Sequence, residues 1–249
     1  MIPLRDITWV IPYYRNPNML KRHIEHYSLY PEEVVRHYKW IYIDDGSPEH
    51  QRPDDILRSA PGHILNQIRL FRVLVDIPFN QHGARNLGAR EADTEWLLLM
   101  DMDRCMTEYD AYRLIARPLV KGKFYKPTIM QVNQGFIISP CNVAEKTINL
   151  FTITKSAYWQ AGGYDEDYCG TYGGDQSFIN IIKKRHIPEI MPDVRVLRYR
   201  PSDIKDSSTT TLSREEYRKK FDVLKKHKIR TRKIYPKNPI RFPWEEIRL

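Results

Sequence analysis

The chain has 249 residues, 41% hydrophobic and 29% charged, which suits one large α/β domain or two small ones with a sizeable core. Its net charge is +9, and much of the excess lies beyond residue 180, in Lys183-Lys184-Arg185, Lys219-Lys220, Lys225-Lys226-His227-Lys228 and residues 230–233. No apolar stretch approaches the roughly 20 residues a membrane-spanning helix needs. Met1 to Asp6 carries no signal-peptide pattern. Cys105, Cys141 and Cys169 form no CxxC pair and no disulfide framework, so all three are expected as buried free thiols in a reducing, cytoplasmic compartment. A basic tail could meet nucleic acid, an anionic membrane face or an acidic substrate. The chain has no RNP-type aromatic motif, zinc-finger spacing or basic region with heptads, so no nucleic-acid partner is expected. Peripheral contact of the tail with an anionic membrane is kept as an expectation beside a plainly solvated helix face and loose tail.

Thr8 to Ile11 reads as a buried first strand ended by Pro12, and Asn16-Pro17 as the N-cap and first turn of a helix over 17–30 with Leu20, Ile24 and Tyr27 on one face. Trp40 to Ile43 is a second strand, closed by the turn signal Asp44-Asp45-Gly46-Ser47-Pro48. A third strand is expected over Leu70 to Ile77, a helix over Gln81 to Ala92 despite two glycines, and a fourth strand over 96–101. This alternation predicts a mostly parallel sheet with crossover helices. Further on, the pattern predicts a helix over Tyr109 to Pro118 and strands at Phe136 to Ile138 and Leu150 to Ile153. A short helix over Lys155 to Ala161 ends at Gly162-Gly163. A helix over Asp175 to Lys184 and a strand over Arg195 to Tyr199 follow. Residues 214–227 read as a basic amphipathic helix carrying Tyr217, Phe221 and Leu224, and 229–249 as an extended arm. The organisation expected is a single α/β domain over 1–212, with a nucleotide-binding half (1–105) and an acceptor-binding half (106–212), followed by the basic helix and arm (213–249).

Asp101-Met102-Asp103 emerges from the apolar run Trp96 to Met100, a strand buried on both faces. Two carboxylates there reach the carboxyl edge of the sheet, where open α/β folds bind ligands. Carboxylate oxygens are hard ligands for Mg²⁺ or Mn²⁺, ions that bridge to phosphates. The plain alternative is a turn or helix cap. Three more strand ends gather at the same edge: Pro12-Tyr13-Tyr14-Arg15, Asp44-Asp45-Gly46-Ser47 and the loop from Asn80 to Asn86. Together they offer rings for stacking, a carboxylate for a base N–H, an Arg for phosphate and a metal-binding pair, the inventory of a nucleoside-diphosphate site. Neither G-x-G-x-x-G nor GK[ST] is present, which disfavours hydride transfer and a P-loop kinase.

These segments, with Gly83-Ala84-Arg85-Asn86-Leu87-Gly88, Gly162-Gly163-Tyr164-Asp165-Glu166 and Tyr172-Gly173-Gly174-Asp175-Gln176-Ser177-Phe178, resemble the successive motifs of family 2-type glycosyltransferases with the GT-A fold. The C-terminal pair is similar to segments of β-1,4-galactosyltransferase-like domains. The resemblance covers residues 8–200 or so, and its strength lies in the order of six individually weak motifs. It implies a metal-dependent, inverting transfer of a sugar from a nucleotide diphosphate donor, UDP-linked, to a hydroxyl of a glycan or glycolipid. It implies that Pro12, Tyr13 and Arg15 contact the nucleotide and that Asp44 or Asp45 reads the base. Adjacent strand residues face opposite ways, which favours Asp45. Arg85 matches the basic residue at the diphosphate, Asp103 the metal-binding carboxylate, and Asp101 a group at the ribose or the metal. Asp175 matches the general base, with a helix N-cap as its plain reading. Trp159, Tyr164, Tyr172, Gly173 and Gly174 would line the acceptor, core packing being the rival for Trp159.

Two departures from the family pattern stand out. Gly174 occupies the place of an acid that often precedes the base, and Tyr199 that of a late metal-binding His. They keep open a non-catalytic nucleotide-sugar-binding relative, and a nucleotidyltransferase is a further alternative. His23, His26 and His37 are expected to be solvated and His63 to lie in a turn; His82 lies in a matched loop, where contact with phosphate is the lesser reading.

Overall fold

Short runs of bulky apolar residues build the centre of the fold, seen in a computed structural model that describes residues 4–133, 136–140, 148–209, 213–231 and 239–249. In the first half, β1 (Ile7–Tyr13), β2 (Tyr38–Asp44), β3 (Ile68–Val73) and β4 (Trp96–Leu99) alternate with α1 (Pro17–Tyr27), α2 (Glu32–Val35), α3 (Asp54–Arg58), α4 (Gly62–Leu65) and α5 (Gln81–Glu91). Then come β5 (Arg104–Cys105), α6 (Glu108–Ala116), β6 (Lys123–Asn133), β7 (Phe136–Pro140), β8 (Phe151–Thr154) and α7 (Lys155–Gln160). A 3₁₀ turn (Glu166–Tyr168), α8 (Gly174–Ile182), β9 (Ile187–Arg198), α9 (Arg214–Thr231) and β10 (Trp244–Ile247) complete the chain.

One mixed sheet runs in the order β10-β3-β2-β1-β4-β8-β6-β9-β5, with β7 beside β6. The expected parallel pairing holds from β3 through β2 and β1 to β4. Beyond β4 the sheet is mixed: β8 is antiparallel to β4 and β6, whereas β9 is parallel to β6. Strand β1 lies between β2, which follows it, and β4, which comes back on its other side. That reversal opens a crevice at the carboxyl ends of β1 and β4, and ligands bind open α/β sheets at such a point.

Alternation along β1 divides the core. Trp9 and Ile11 face one layer, where Trp9, Tyr27, Tyr38 and Trp40 pack ring against ring, while Val10 faces the other with Ile41, Ile43 and Leu87. The two glycines of α5 are close-packing positions, which is why the helix tolerates them. A Cβ on Gly88 would meet Val10 Cγ1 at 2.5 Å and Ile43 Cδ1 at 2.8 Å, and one on Gly83 would meet the Phe242 ring at 2.5 Å.

Four local expectations change. Asn16 makes no side-chain cap of α1. Its amide goes to the Asp206 carbonyl, and the Asp206 carboxylate accepts from the Asn18 and Met19 N–H groups at 2.8 and 3.0 Å, capping the helix from across the fold. Strand β1 runs through Pro12 to Tyr13 rather than stopping at Pro12. The strand β6 was not expected, because Lys123, Lys126 and Pro127 break its pattern; its register with β9 shifts at Pro127/Thr128. The tail expected as a loose arm returns to the sheet: β10 pairs antiparallel with β3, Trp244 opposite Val73. Among the described residues no helix is long and apolar enough to cross a membrane. Cys105 is buried and Cys169 half-buried, both free thiols; Cys141 lies outside the described residues.

Candidate functional site

Met102 anchors the acidic loop after β4. Its side chain is buried in the core, the His23 Nε2–H donates to its carbonyl at 3.0 Å, and Asp101 and Asp103 are left facing the crevice. His23 accepts from the Tyr42 hydroxyl at Nδ1, 3.1 Å away, and burial lowers its pKa to about 3. The expectation of a solvated His23 is thus corrected, since it is a fully buried neutral support beneath the acidic loop. His26 bonds the Tyr199 hydroxyl at 2.8 Å, and His37 pairs with Asp6 at 2.8 Å.

Arg85 joins the two ends of the crevice. It is fully buried on α5, donating from one guanidinium nitrogen to Asp101 Oδ1 and from the other to Asp175 Oδ1, with Tyr164 lying 5.1 Å from the guanidinium carbon. Burial works against its charge, but Tyr164, Asp175 and Asp101 outweigh that and hold it protonated above its ordinary range. Asp101 Oδ2 accepts from Asn149 and lies 3.3 Å from Arg104. Asp103 Oδ2 accepts from Arg198 Nε at 3.0 Å. Its Oδ1 is buried without a hydrogen bond among the described residues, though Arg104 Nε stands 3.3 Å away. Burial raises the Asp103 pKa, and the neighbouring Asp101 charge adds to the shift. At the place where the family pattern suggests a late His, the main chain of Tyr199 bonds the Asp103 carbonyl at 2.8 Å. No cluster of three or more His, Cys, Asp or Glu poised for a metal occurs among the described residues.

Asp175 does not cap α8. Gly173, at φ +127°, is the N-cap, and the Asp175 carboxylate instead holds Arg85, with Gln81 Nε2 3.5 Å from Oδ2. Gly173 and Gly174 both lie under close neighbours. A Cβ on Gly173 would touch Phe221 at 3.3 Å, and one on Gly174 would overlap His82 Cε1 and lie 2.8 Å from its Nε2. His82 therefore fills the space beside Gly174 that an acidic side chain would need.

The segment before α8 is pinned by Asn86. Its Nδ2 donates to the Tyr164 carbonyl (2.9 Å) and Glu166 Oε1 (2.8 Å), while its Oδ1 accepts from the Tyr158 hydroxyl (2.6 Å) and the Tyr164 N–H (2.8 Å). Gly163, at φ +70°, is required there, because a Cβ would come within 2.7 Å of Asn86 Oδ1 and 2.9 Å of the Trp159 ring. The three acids that follow are occupied. Lys228 of α9, itself buried, pairs with Asp165 and with Asp167 at 2.7 Å, and Glu166 accepts from the main chain of Ile240 and Arg241.

In the turn after β2, Asp45 is buried and accepts from Asn80 Nδ2 at 2.9 Å; burial raises its pKa to about 7. Asp44 turns away into the fold, where it accepts from Arg72 Nε (3.0 Å) and the Ser47 N–H (3.0 Å). Tyr13 is corrected: its ring is fully buried in the core and its hydroxyl donates to the Gln51 carbonyl at 2.6 Å, so the next residue, Tyr14, presents the ring at this edge. Arg15, at φ +54°, stacks its guanidinium 4.6 Å over Tyr14 and lies 3.6 Å from Asp76, beside the half-buried Pro12. Tyr164 is also corrected. It is fully buried between Phe178 (4.1 Å) and His82 (5.1 Å) and presents no face to an acceptor. Trp159 is half-buried against Tyr158, and Tyr172 is exposed. Sequence reading missed Asn149, Arg104, Arg198 and His23. Asn80 and Asn86 lay in the quoted loop without a role.

The family model for glycosyl transferase family 2 matches residues 8–137, which include the Asp45 turn, Arg85 and the Asp101/Asp103 pair. The chain is a member of that family. Two solved structures share its fold. GalNAc-T7, solved with UDP, GalNAc and Mn²⁺, is 15% identical and aligns over 79% of this chain and 44% of its own, with a TM-score of 0.60. TarS of S. aureus is 11% identical and aligns over 85% and 41%, also with a TM-score of 0.60. The chain thus spans less than half the length of either. Comparison with curated protein sequences yields no match. The family 2 chain accordingly has the GT-A architecture, and the paired carboxylates, Arg85 and Asp175 lie along its crevice.

Proposed function

We propose that the chain transfers a sugar from a nucleoside diphosphate donor, UDP-linked, to a hydroxyl of a glycan or glycolipid acceptor, inverting the anomeric centre in one displacement. The observation that carries this reading is the buried Asp101–Arg85–Asp175 bridge, which ties the carboxylate pair after β4 to a carboxylate at the start of α8. Asp45 would accept the base N–H, with Tyr14, Arg15 and Pro12 beside it. Arg85 would face the diphosphate and Asp175 would take the acceptor proton, since a sugar hydroxyl is a weak nucleophile until a base within reach removes its proton. Tyr172, Trp159 and the Gly173-Gly174 turn would border the acceptor. The GalNAc-T7 structure contains UDP and Mn²⁺, which supports both the UDP preference and a divalent cofactor here.

The residues present fit a divalent ion. Asp103 Oδ1 is a buried carboxylate oxygen without a hydrogen bond among the described residues, and it feels the charge of Asp101. Hard ions of this kind are held by one or two carboxylates together with substrate phosphates. Asp103, with Asp101, would hold Mn²⁺ or Mg²⁺, which when bound supplies positive charge to the departing diphosphate. A thermal-shift panel of UDP-, GDP-, CMP- and dTDP-sugars with and without Mn²⁺ tests donor and metal together, because a ligand of the native state raises Tm. The UDP-sugars with Mn²⁺ should give the largest shift. Asp103→Ala should abolish turnover and make the UDP shift independent of Mn²⁺; unchanged Mn²⁺-dependent activity in a folded variant would remove Asp103 from the site.

Asp45 implies a pH dependence. With its folded pKa raised to about 7 by burial, the carboxylate accepts a base N–H only as pH rises through that value. UDP-glucose, whose diphosphate diester does not titrate there, should bind up to about tenfold more tightly per pH unit below 7 and level off above it. The same shift means the contribution of Asp45 to stability is full below the unfolded value near 4 and is lost as pH rises through about 7. Calorimetry of Asp45→Asn should show weaker binding without this pH slope. A parent slope retained in that variant would assign the titration elsewhere.

The exposed face of α9 carries Arg218, Lys219, Lys220, Lys225, Lys226 and Arg230, and its buried Phe221 lies against Gly173 and Tyr168 beside the acceptor end. This supports peripheral contact with an anionic bilayer that carries a lipid-linked acceptor. The chain should co-sediment with phosphatidylglycerol vesicles at low salt. Charge reversal of Lys219, Lys226 and Arg230 should abolish that, and equal binding to neutral vesicles would count against it.

A further inference from the structure

The side chain of His82, in the first turn of α5, is almost fully buried and neither of its ring nitrogens has a hydrogen-bond partner among the described residues. Buried polar groups are nearly always paired, and an orphan in a native fold calls for an explanation. The ring stacks on Tyr164 at 5.1 Å with the planes 10° apart, and its edge fills the space beside Gly174. Both contacts fix its plane. Its Nε2 lies 3.9 Å from Asp175 Oδ1, too far for a hydrogen bond in this state. The charged and titratable groups facing it are Asp175 on α8, Arg85 on its own helix and Tyr164 from the segment after α7. Burial, the larger influence, and Arg85 lower its pKa, Asp175 opposes them, and the result is about 4, so the ring is neutral at physiological pH.

We propose that His82 is a positioning residue for Asp175: its Nε2–H closes onto Oδ1 when the acceptor is seated, which leaves Oδ2 to take the hydroxyl proton. Catalytic hydrogen bonds are commonly long before substrates bind and tighten in the reactive complex. Arg85 does not fix the carboxylate, because it divides its two donors between Asp175 and Asp101, and Gln81 Nε2 reaches Oδ2 only at a weak 3.5 Å, which an acceptor hydroxyl would displace. A second donor on Oδ1 sets the rotation of the carboxylate and keeps the proton-accepting oxygen on the crevice side. The neutral ring suits this task, since it donates without adding a charge that would weaken the base. The inference rests on Asp175 being the base of the proposed transfer.

The test pairs a ligand-free measurement with kinetics. In ¹⁵N-histidine-labelled chain, the ring signal absent from His82→Leu identifies His82. It should be neutral, with the proton on Nε2, from pH 5.5 to 8, and it should shift in Asp175→Asn. A charged ring, an Nδ1–H tautomer or an Asp175-insensitive signal overturns the proposal. Release of UDP is then measured with UDP-glucose, UDP-galactose and their N-acetylhexosamine counterparts, with Mn²⁺ and water as acceptor. His82→Leu should lower kcat about tenfold or more, as loss of a supporting hydrogen bond does. It should leave donor KM near parental and Tm unchanged or higher, since an unpaired buried polar group is removed. His82→Gln, which keeps an N–H at the Nε2 position, should recover most of kcat. Parental kcat in His82→Leu, or no recovery in Gln, refutes the role while leaving Asp175 in place. If Asp175→Asn turns over like the parent, or the parent turns over none of the donors, the transfer reading itself fails and the tautomer result alone decides the His82–Asp175 contact.

Discussion

Asp175→Asn is expected to lower kcat by on the order of 10²-fold or more, the usual loss when a general base goes. The isostere keeps an oxygen for Arg85 but cannot take up a proton. The helix start should not suffer, because Gly173 is the N-cap of α8 and the Asp175 carboxylate bonds Arg85 instead. Donor KM should stay near parental and Tm should fall only modestly. The measurement is steady-state release of UDP beside thermal melting. A clear drop in Tm with near-normal turnover would make Asp175 a counter-ion of Arg85 and nothing more. The role could not then pass to its acidic neighbours: Asp165 and Asp167 are bound by Lys228, and Glu166 is held by Asn86 and the main chain of Ile240 and Arg241. The prediction is therefore sharp, since the crevice offers no second free carboxylate at the start of α8 among the described residues.

Where one residue's chemistry dominates its surroundings, the amino-acid sequence was readable. The apolar runs at Trp9, Trp40 and Leu97 can only be strands buried on both faces, and the acidic residues at their ends follow from that. The parallel pairing of the first half comes out of local pattern. What did not come out depends on partners distant in the chain. Tyr13 and Tyr14 are interchangeable on paper, and only strand parity in the folded sheet sends Tyr13 inward. His23 looked solvated because its helix is polar overall, yet it lies beneath Met102, 79 residues away. Asn149 carries no motif and reaches Asp101 only because β8 lies next to β4. The charged tail read as a loose arm because nothing in its composition marks the acids at 165–167, where Lys228 and the main chain of Ile240 and Arg241 dock, or the β3 edge that β10 completes.

Arg85→Lys should be among the most damaging single changes, although it conserves charge. The guanidinium spans two carboxylates from one buried position, donating to Asp101 and Asp175 through different nitrogens. An ammonium is a single point donor on a flexible stem and cannot make both bonds in that geometry. If it abandons Asp175, a buried carboxylate loses its cation, and losing one partner of a buried pair costs about 3–5 kcal/mol; Asp101, half-buried, keeps Arg104 at 3.3 Å. The expected result is a Tm several degrees below parent, together with at least about tenfold weaker UDP binding by calorimetry, since an ammonium cannot reproduce the forked donor geometry of the guanidinium at the diphosphate end. Arg85→Ala should be worse in both respects, because Asp175 then loses its cation and Asp101 keeps only Arg104 and Asn149. The two readouts separate the structural share from the ligand share. Suppressing the instability with Arg85→Met combined with Asp101→Asn and Asp175→Asn should restore Tm, since an ion network replaced as a unit leaves no charge stranded. UDP affinity should remain low in that triple variant. Recovery of UDP binding there would mean that Arg85 serves only the fold and that other groups, Arg104 and Arg198 foremost, hold the diphosphate.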